Sequence, residues 1–343
     1  MKRSLLCLLT LTLLVSSAVA HTPLGGLTAA VSPDGKTLVA GGDSRVVYVI
    51  DPTSLEVRNR VWVRTSIFAL VFSADGSRLL VEDTNGSVFW VNTQSWTIEK
   101  ELKNLSFVSP AAKADLCAAL SSQKEISFLA LSDGAVKGKV SLDKDIAAFA
   151  MNPDGTRLAV LSKDEKDEGE KVVASADIPK DLKGAARREF EQRNNGKTAW
   201  FALFDVPSGK ELARSKTYYT SSAGASMLFD GDDVLVVNYS NENARINAKG
   251  EATVFELSNS FNYGIGMSRD HSVLATGGLS AGTITKVKGL GMLSFTTDKL
   301  PGWPEYFKGF GFLPDGTAFG GTTAHRIIRI KPDGTIDKSA PIY

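Results

Sequence analysis

The chain holds three histidines, His21, His271 and His325, and two cysteines, Cys7 and Cys117. These are the residue types best suited to metal or nucleophilic chemistry. No two of the histidines share a metal-ligand spacing, no cysteine partners them, and no Cys-x-x-Cys-His run exists, so zinc and haem are not expected. His21 is a separate case. Cleavage after Ala20 would place it at a mature N-terminus, where its α-amine and imidazole can reach one copper ion. The sequence places no second histidine to complete that set. A nucleophilic triad is not readable either, because there is no Gly-x-Ser-x-Gly elbow. Asp34, Asp75, Asp154 and Asp315 each precede a glycine, in the manner of calcium loops. The twelve-residue loop with its terminal Glu is missing, so these aspartates read as turn formers. No catalytic residue, resident metal or cofactor is expected.

The aspartate turns belong to a larger pattern. Short apolar triplets follow them at Leu38, Leu79, Leu116, Leu158, Val234, Val273 and Ala318, with spacings of 41, 37, 42, 76, 39 and 45. Only the 76 is out of step, and an insertion at 163–197 accounts for it. Each unit reads as four strands. In the first, LTAAV leads through Ser32-Pro33-Asp34-Gly35 into TLVAGG, RVVYVI and LEVRNRVWV. Proline presets φ and glycine accepts positive φ, which makes the turn tight. The second unit repeats the plan with IFALVFS, RLLVED, SVFWVN and WTIEKEL. A sandwich also has a strand every 8–12 residues, but it has no reason to repeat a four-strand unit. A β-propeller does, because each blade is one four-stranded sheet packed on its neighbours. The expected fold is all-β, a seven-bladed propeller of antiparallel blades with a partly helical insertion in blade 4. Seven is the count of units, with six or eight left open.

The stretch SPDGKTLVAGGDSRVVYVIDPTSLEV closely resembles the YVTN-type repeat of exported bacterial β-propellers, relatives of the WD-repeat class. SADGSRLLVEDTNGSVFWVNTQSWTI is a second good copy. The resemblance is sharp in the first, second, fourth and seventh units. The third has SPAAKADLCAALSS, the fifth FDGDDVLVVNYS and the sixth SRDHSVLATGG. The Gly-His and Trp-Asp dipeptides of true WD repeats are absent. Residues 21–24 precede the first strand and are expected to pair with the last blade or pack beside it.

Two departures from the repeat are candidate contact surfaces. The insertion at 163–197 carries nine basic and nine acidic residues. Its second part, IPKDLKGAARREFEQRN, reads as a short helix with Pro179 in the first turn, Asp181 near the N-terminus, and Leu182, Ala185, Ala186 and Phe190 on one face. It is either a solvated loop or a docking element offering Arg187, Arg188 and Phe190. The segment LPGWPEYFKGFGF links the sixth and seventh units, and its two prolines keep it stiff. Trp303, Tyr306 and Phe307 either pack between blades or form an exposed aromatic platform of the kind interfaces favour.

Lys2 and Arg3 precede an apolar run at 5–15, and Ala18-Val19-Ala20 fits the small-x-small cleavage rule. Eleven apolar residues fall well short of the ~20 a membrane helix needs. An export signal at 1–20 and a soluble mature chain at 21–343, periplasmic or extracellular, are expected. Cys7 would leave with the signal, so Cys117, in the apolar run LCAAL, could form no intrachain disulfide and is expected to be buried. The full chain has 39 basic and 38 acidic residues, and loss of Lys2 and Arg3 turns the balance to −1. That gives no electrostatic footprint for nucleic acid or an anionic membrane.

The expected function is a non-enzymatic scaffold binding a protein or an envelope polymer. The alternative is a propeller enzyme, a lactonase-like hydrolase or a quinone-linked dehydrogenase subunit, using the central funnel. The enzyme would need converging carboxylates, histidines or arginines in the channel.

Overall fold

Middle strands such as Leu38–Gly42 and Arg78–Asp83 are buried nearly throughout, whereas the fourth strands Val57–Trp62 and Thr97–Lys103 are mostly exposed. A sheet packed on both faces needs continuous apolar runs. A strand at its outer edge tolerates charge and resists edge-to-edge pairing by carrying it. The computed structural model describes residues 25–163, 173–194, 199–217, 226–237, 243–257, 262–298, 300 and 304–343. Seven four-stranded antiparallel blades follow one another over 27–62, 67–103, 106–141, 146–217, 226–255, 264–296 and 307–341, and they close into a β-propeller. Within each blade the strands pair in chain order.

The recurring turn has one geometry. In blade 1 the Gly35 N–H closes onto the Ser32 carbonyl at 2.9 Å, and the Ser32 hydroxyl donates to Asp34 at 2.6 Å. Blade 2 repeats this with Gly76 on Ser73 and Ser73 on Asp75. The serine hydroxyls are the main reason Asp34 and Asp75 stay below the usual carboxylate range. Gly35 and Gly76 have φ of 71° and 74°, a region that costs glycine nothing.

Apolar clusters fill the seams between blades. Seam 2–3 holds Leu80, Val88, Trp90, Leu129 and Leu131 with Cys117. Burial there pushes the Cys117 thiol up to about 12. The ring closes where Leu27, Ala29 and Leu38 of blade 1 meet Phe319 and Ile327 of blade 7 and Ile342 beyond its last strand. Among the described residues no strand is exchanged between these two blades, and their closure rests on face-to-face packing. The approach is close: a Cβ on Gly311 would lie 2.8 Å from the Ala30 Cα, so only glycine fits. Residues 21–24 lie outside the described residues.

In blade 4 the second strand ends at Lys163, the third begins at Ala199, and a helix, Gly184–Asn194, stands between them. It starts later than Pro179 and Asp181 suggested. Those residues lie in turns ahead of it, where the Leu182 N–H closes onto the Pro179 carbonyl at 3.1 Å. The strand order divides the ring into two faces. Turns joining first to second and third to fourth strands share one face, here the turn face. The other, the link face, carries the blade-to-blade links and the blade 4 insertion.

Candidate functional site

The described residues expected to offer contacts differ in exposure and in the blades they pack on. Phe307 is fully buried, so it takes the packing alternative and is corrected out of the candidate contact residues. It stacks on Phe310 at 5.2 Å and meets Phe295 edge-on at 5.4 Å inside seam 6–7. As first residue of the strand Phe307–Phe312, it turns its ring into the space left by Gly277 and Gly320, while Gly264 admits its backbone. Tyr306 is half-buried and packs on Tyr263 at 4.6 Å. Trp303 and His21 lie outside the described residues. Phe190 is half-buried on the helix, which packs on the outer strand Ala252–Phe255 of blade 5. Arg188 pairs with Glu256 of that blade at 3.4 Å, and Arg187 pairs with Glu191 of its own helix at 2.9 Å. The helix that carries the two arginines and Phe190 thus sits against blade 5, with Arg188 making the ion pair to it, whereas Tyr306 sits in the link from blade 6 to blade 7.

The link face carries two acids that the repeat does not announce. Glu305 is buried in the blade 6–7 link. Arg326 grips it with Nε and Nη2 at 2.6 Å each, the Thr322 hydroxyl donates to it at 2.6 Å, and Arg326 Nη1 also reaches Asp298 at 3.0 Å. Glu82 is buried between blades 2 and 3 and accepts the N–H groups of Phe107 at 2.6 Å and Val108 at 3.0 Å. A register shift in the pairing of Ser106–Pro110 with Cys117–Ser122 accompanies these bonds. Phe107 has φ of 55° and stands 57% exposed against Phe68, edge-on at 5.8 Å.

Burial raises the Glu82 carboxyl to about 7, and the two N–H donors oppose this only in part. Its ordinary value is near 4.5. Between those values the folded chain holds a proton that the unfolded chain has released. The contribution is therefore fully present below pH 4.5 and declines as pH rises through about 7. Urea unfolding over this interval should show wild type losing on the order of 2–3 kcal/mol relative to Glu82→Gln, since one pKa unit is about 1.4 kcal/mol. Parallel pH profiles for the two proteins would remove Glu82 as the cause.

On the turn face, the first strands of all seven blades surround an axial cavity of about 620 Å³. Its wall includes Leu70, Phe72, Met151, Met227, Met267 and Phe310, and its mouth Lys113, Arg269 and His271. The last two occupy turn positions of blade 6 that the repeat gives to other residues. Arg269 stands where blades 1 and 7 have Pro33 and Pro314. His271 stands where they have Gly35 and Gly316, and its N–H closes onto the Ser268 carbonyl at 2.9 Å, as Gly35 does on Ser32. Its φ is 60°. A side chain in that region costs of order 1 kcal/mol or more, so the histidine is held there by what surrounds it. Its Nδ1 bonds to the Phe229 carbonyl of blade 5 at 2.7 Å. Burial holds the ring below the usual histidine range.

Arg269 crosses the mouth. Its Nη2 donates to the Ala74 carbonyl of blade 2 at 2.9 Å and to the Ala112 carbonyl of blade 3. Lys113 comes from the divergent blade 3 turn and pairs with Asp154 at 3.2 Å. Sequence reasoning passed over Arg269 and Lys113. The available signal was that SRDH and SPAAKAD are the turns where Pro-Asp-Gly chemistry lapses. They read as weak copies of the repeat, yet they place cations over the axis.

Among the described residues, no group of three or more His, Cys, Asp and Glu side chains is placed to hold a metal. His325 Nε2 lies 3.0 Å from Asp43 at the closing seam, on the link face. Among the described residues, no helix is long and apolar enough to cross a membrane.

No protein-family model matches the sequence, and no curated protein sequence matches it. Among solved structures, 1672 chains are similar, so the architecture by itself does not select an activity. One is described as Kuenenia stuttgartiensis Hydrazine Synthase. It aligns with a TM-score of 0.60 at 16% identity, over 89% of this chain and 95% of that one. Likeness at that identity extends to the fold alone.

Proposed function

We propose that this chain is an exported, non-enzymatic β-propeller that binds a protein or cell-envelope component through the axial mouth of its turn face. The observation that carries this reading is the divergence of the blade 3 and blade 6 turns. These blades stand across the ring from each other, and together they set Lys113, Arg269 and His271 at an apolar cavity. A left-handed histidine carries a backbone cost where glycine is free of strain, and its one bond across the seam, to the Phe229 carbonyl, leaves the rest of the imidazole ring at the mouth. Export is supported by Lys2, Arg3, the apolar run at 5–15 and Ala18-Val19-Ala20, and kinship with YVTN-type propellers by the Pro-Asp-Gly repeat units.

The alternative, an enzyme using the same funnel, needs converging carboxylates, histidines or arginines there; Arg269 and His271 meet part of that need, and free carboxylates would have to complete it. Asp270 accepts from the Ser268 hydroxyl at 2.7 Å and the Ser272 N–H at 3.1 Å, and Asp315 from the Thr317 N–H at 2.8 Å. Both are engaged as turn formers, which favours the binding reading. The test is capture from an envelope extract by the immobilised chain 21–343, beside a variant with the repeat's own turn, Arg269→Pro with His271→Gly. Wild type should retain a defined component that the variant loses. Equal capture by both would sink the reading. Turnover of lactones or of quinone-coupled substrates by wild type alone would favour the enzyme.

A further inference from the structure

We propose that the axial mouth binds a carboxylate carried on an apolar body, with Arg269 as the contact for the anion. This rests on the binding reading above and adds the chemistry of the ligand.

The argument starts from the donors that Arg269 has left. A guanidinium offers five N–H groups. The two on Nη2 are used on the neutral carbonyls of Ala74 and Ala112. Among the described residues, Nε and Nη1 donate to nothing, and no carboxylate lies within ion-pair distance. Asp75 acts on Arg269 only through its charge, and burial pulls the group below the usual arginine range. A partly buried cation without a charged partner carries a desolvation cost that an anion would offset, because charge-assisted hydrogen bonds are roughly twice as strong as neutral ones.

The neighbours do not compete for that role. Lys113 sits close enough for its charge to act on His271, so the mouth holds two cations. A carbonyl can only accept, so the His271 Nδ1 bonded to Phe229 carries the proton, and Nε2 is the lone-pair nitrogen of a neutral ring. Asp270 and Asp315 are engaged within their turns, as described above.

Behind the cations the wall turns apolar. Met151, Met227 and Met267 come from three successive blades, with Phe310 on the next blade and Leu70 and Phe72 across the ring on blade 2. Methionine adapts to irregular apolar shapes. A cavity of about 620 Å³ lies within the range for small-molecule sites, and it has room for an unbranched chain of roughly ten carbons. The chemistry is therefore an anionic head at Arg269 and an apolar tail directed along the axis. A free amphiphilic carboxylate and the C-terminus of an apolar peptide share it.

The experiment is titration calorimetry on the chain 21–343. The probes are decanoate, decanol, and a short peptide ending in Leu-Phe with a free or an amidated terminus. Decanoate or the free-acid peptide should bind saturably, at least tenfold tighter than its uncharged counterpart, and which of the two binds identifies the source. Arg269→Pro with His271→Gly should lose tenfold or more in affinity without a fall in Tm, since blades 1 and 7 already use those residues. Arg269→Gln, which keeps the chain length without the charge, should lose binding as well and covers the case in which the double variant misfolds. Failure of both acids to bind wild type, equal affinity for decanol, or unchanged affinity in a folded Arg269 variant would overturn the proposal. If envelope capture persists in any of those cases, only the ligand chemistry has failed and the binding function stands.

Discussion

Glu305→Ala is expected to destabilise the fold by about 3–5 kcal/mol, the range for removing one partner of a buried ion pair. Arg326 would keep Asp298, but that partner is 75% exposed and cannot replace two bonds of 2.6 Å inside the seam. Thr322 would lose its acceptor at the same time. The cost comes mainly from the stranded guanidinium, not from the net worth of the pair. Glu305→Leu combined with Arg326→Met should therefore recover most of the loss, because it removes both charges and keeps the volume. Chemical denaturation of the three proteins decides this. A double variant as unstable as the single would show that the network holds the blade 6–7 link through its geometry.

Phe319→Ala is expected to cost about 3–5 kcal/mol, as large-to-small changes of a buried aromatic do. Phe319 is fully buried where blade 7 meets blade 1. Among the described residues that seam has no shared strand to hold it, so its apolar contact is what closes the circle. A single blade leaves both faces uncovered, so loss of closure should weaken every blade together. The expected result is one transition, lowered in temperature and coincident by far-UV dichroism and tryptophan fluorescence. Two separate transitions would mean that parts of the ring melt independently.

The blades were legible because their determinants are local. The strands Leu27–Val31, Arg78–Asp83 and Ser87–Asn92 appear where the apolar runs and Ser-x-Asp-Gly turns place them, and the turn bonds join residues two to five apart. The helix was legible in kind but not in its start. Gly184, at φ of 53°, begins it five residues after Pro179, a boundary that composition does not reveal. For Phe307 the sequence left two readings open, because one aromatic segment can line a surface or fill a seam. The vacancies at Gly264, Gly277 and Gly320 decide it, and two of the three belong to another blade.

What the sequence by itself determined is the repeating four-strand unit and the face on which each turn lies; it counted seven units, and the structure fixed seven as the number of blades. The unit and its turns depend on hydrogen bonds and side-chain alternation within a few residues, which spacing records directly. The tertiary structure alone decided which side chains meet at the axis. Arg269 reaches carbonyls 195 and 157 residues away in the chain, and Glu82 takes N–H groups 25 and 26 residues on, in the next blade. Such contacts follow from closing the circle, because ring geometry sets residues of opposite blades within a side chain's reach whatever their separation in sequence. A local pattern carries no record of that angle.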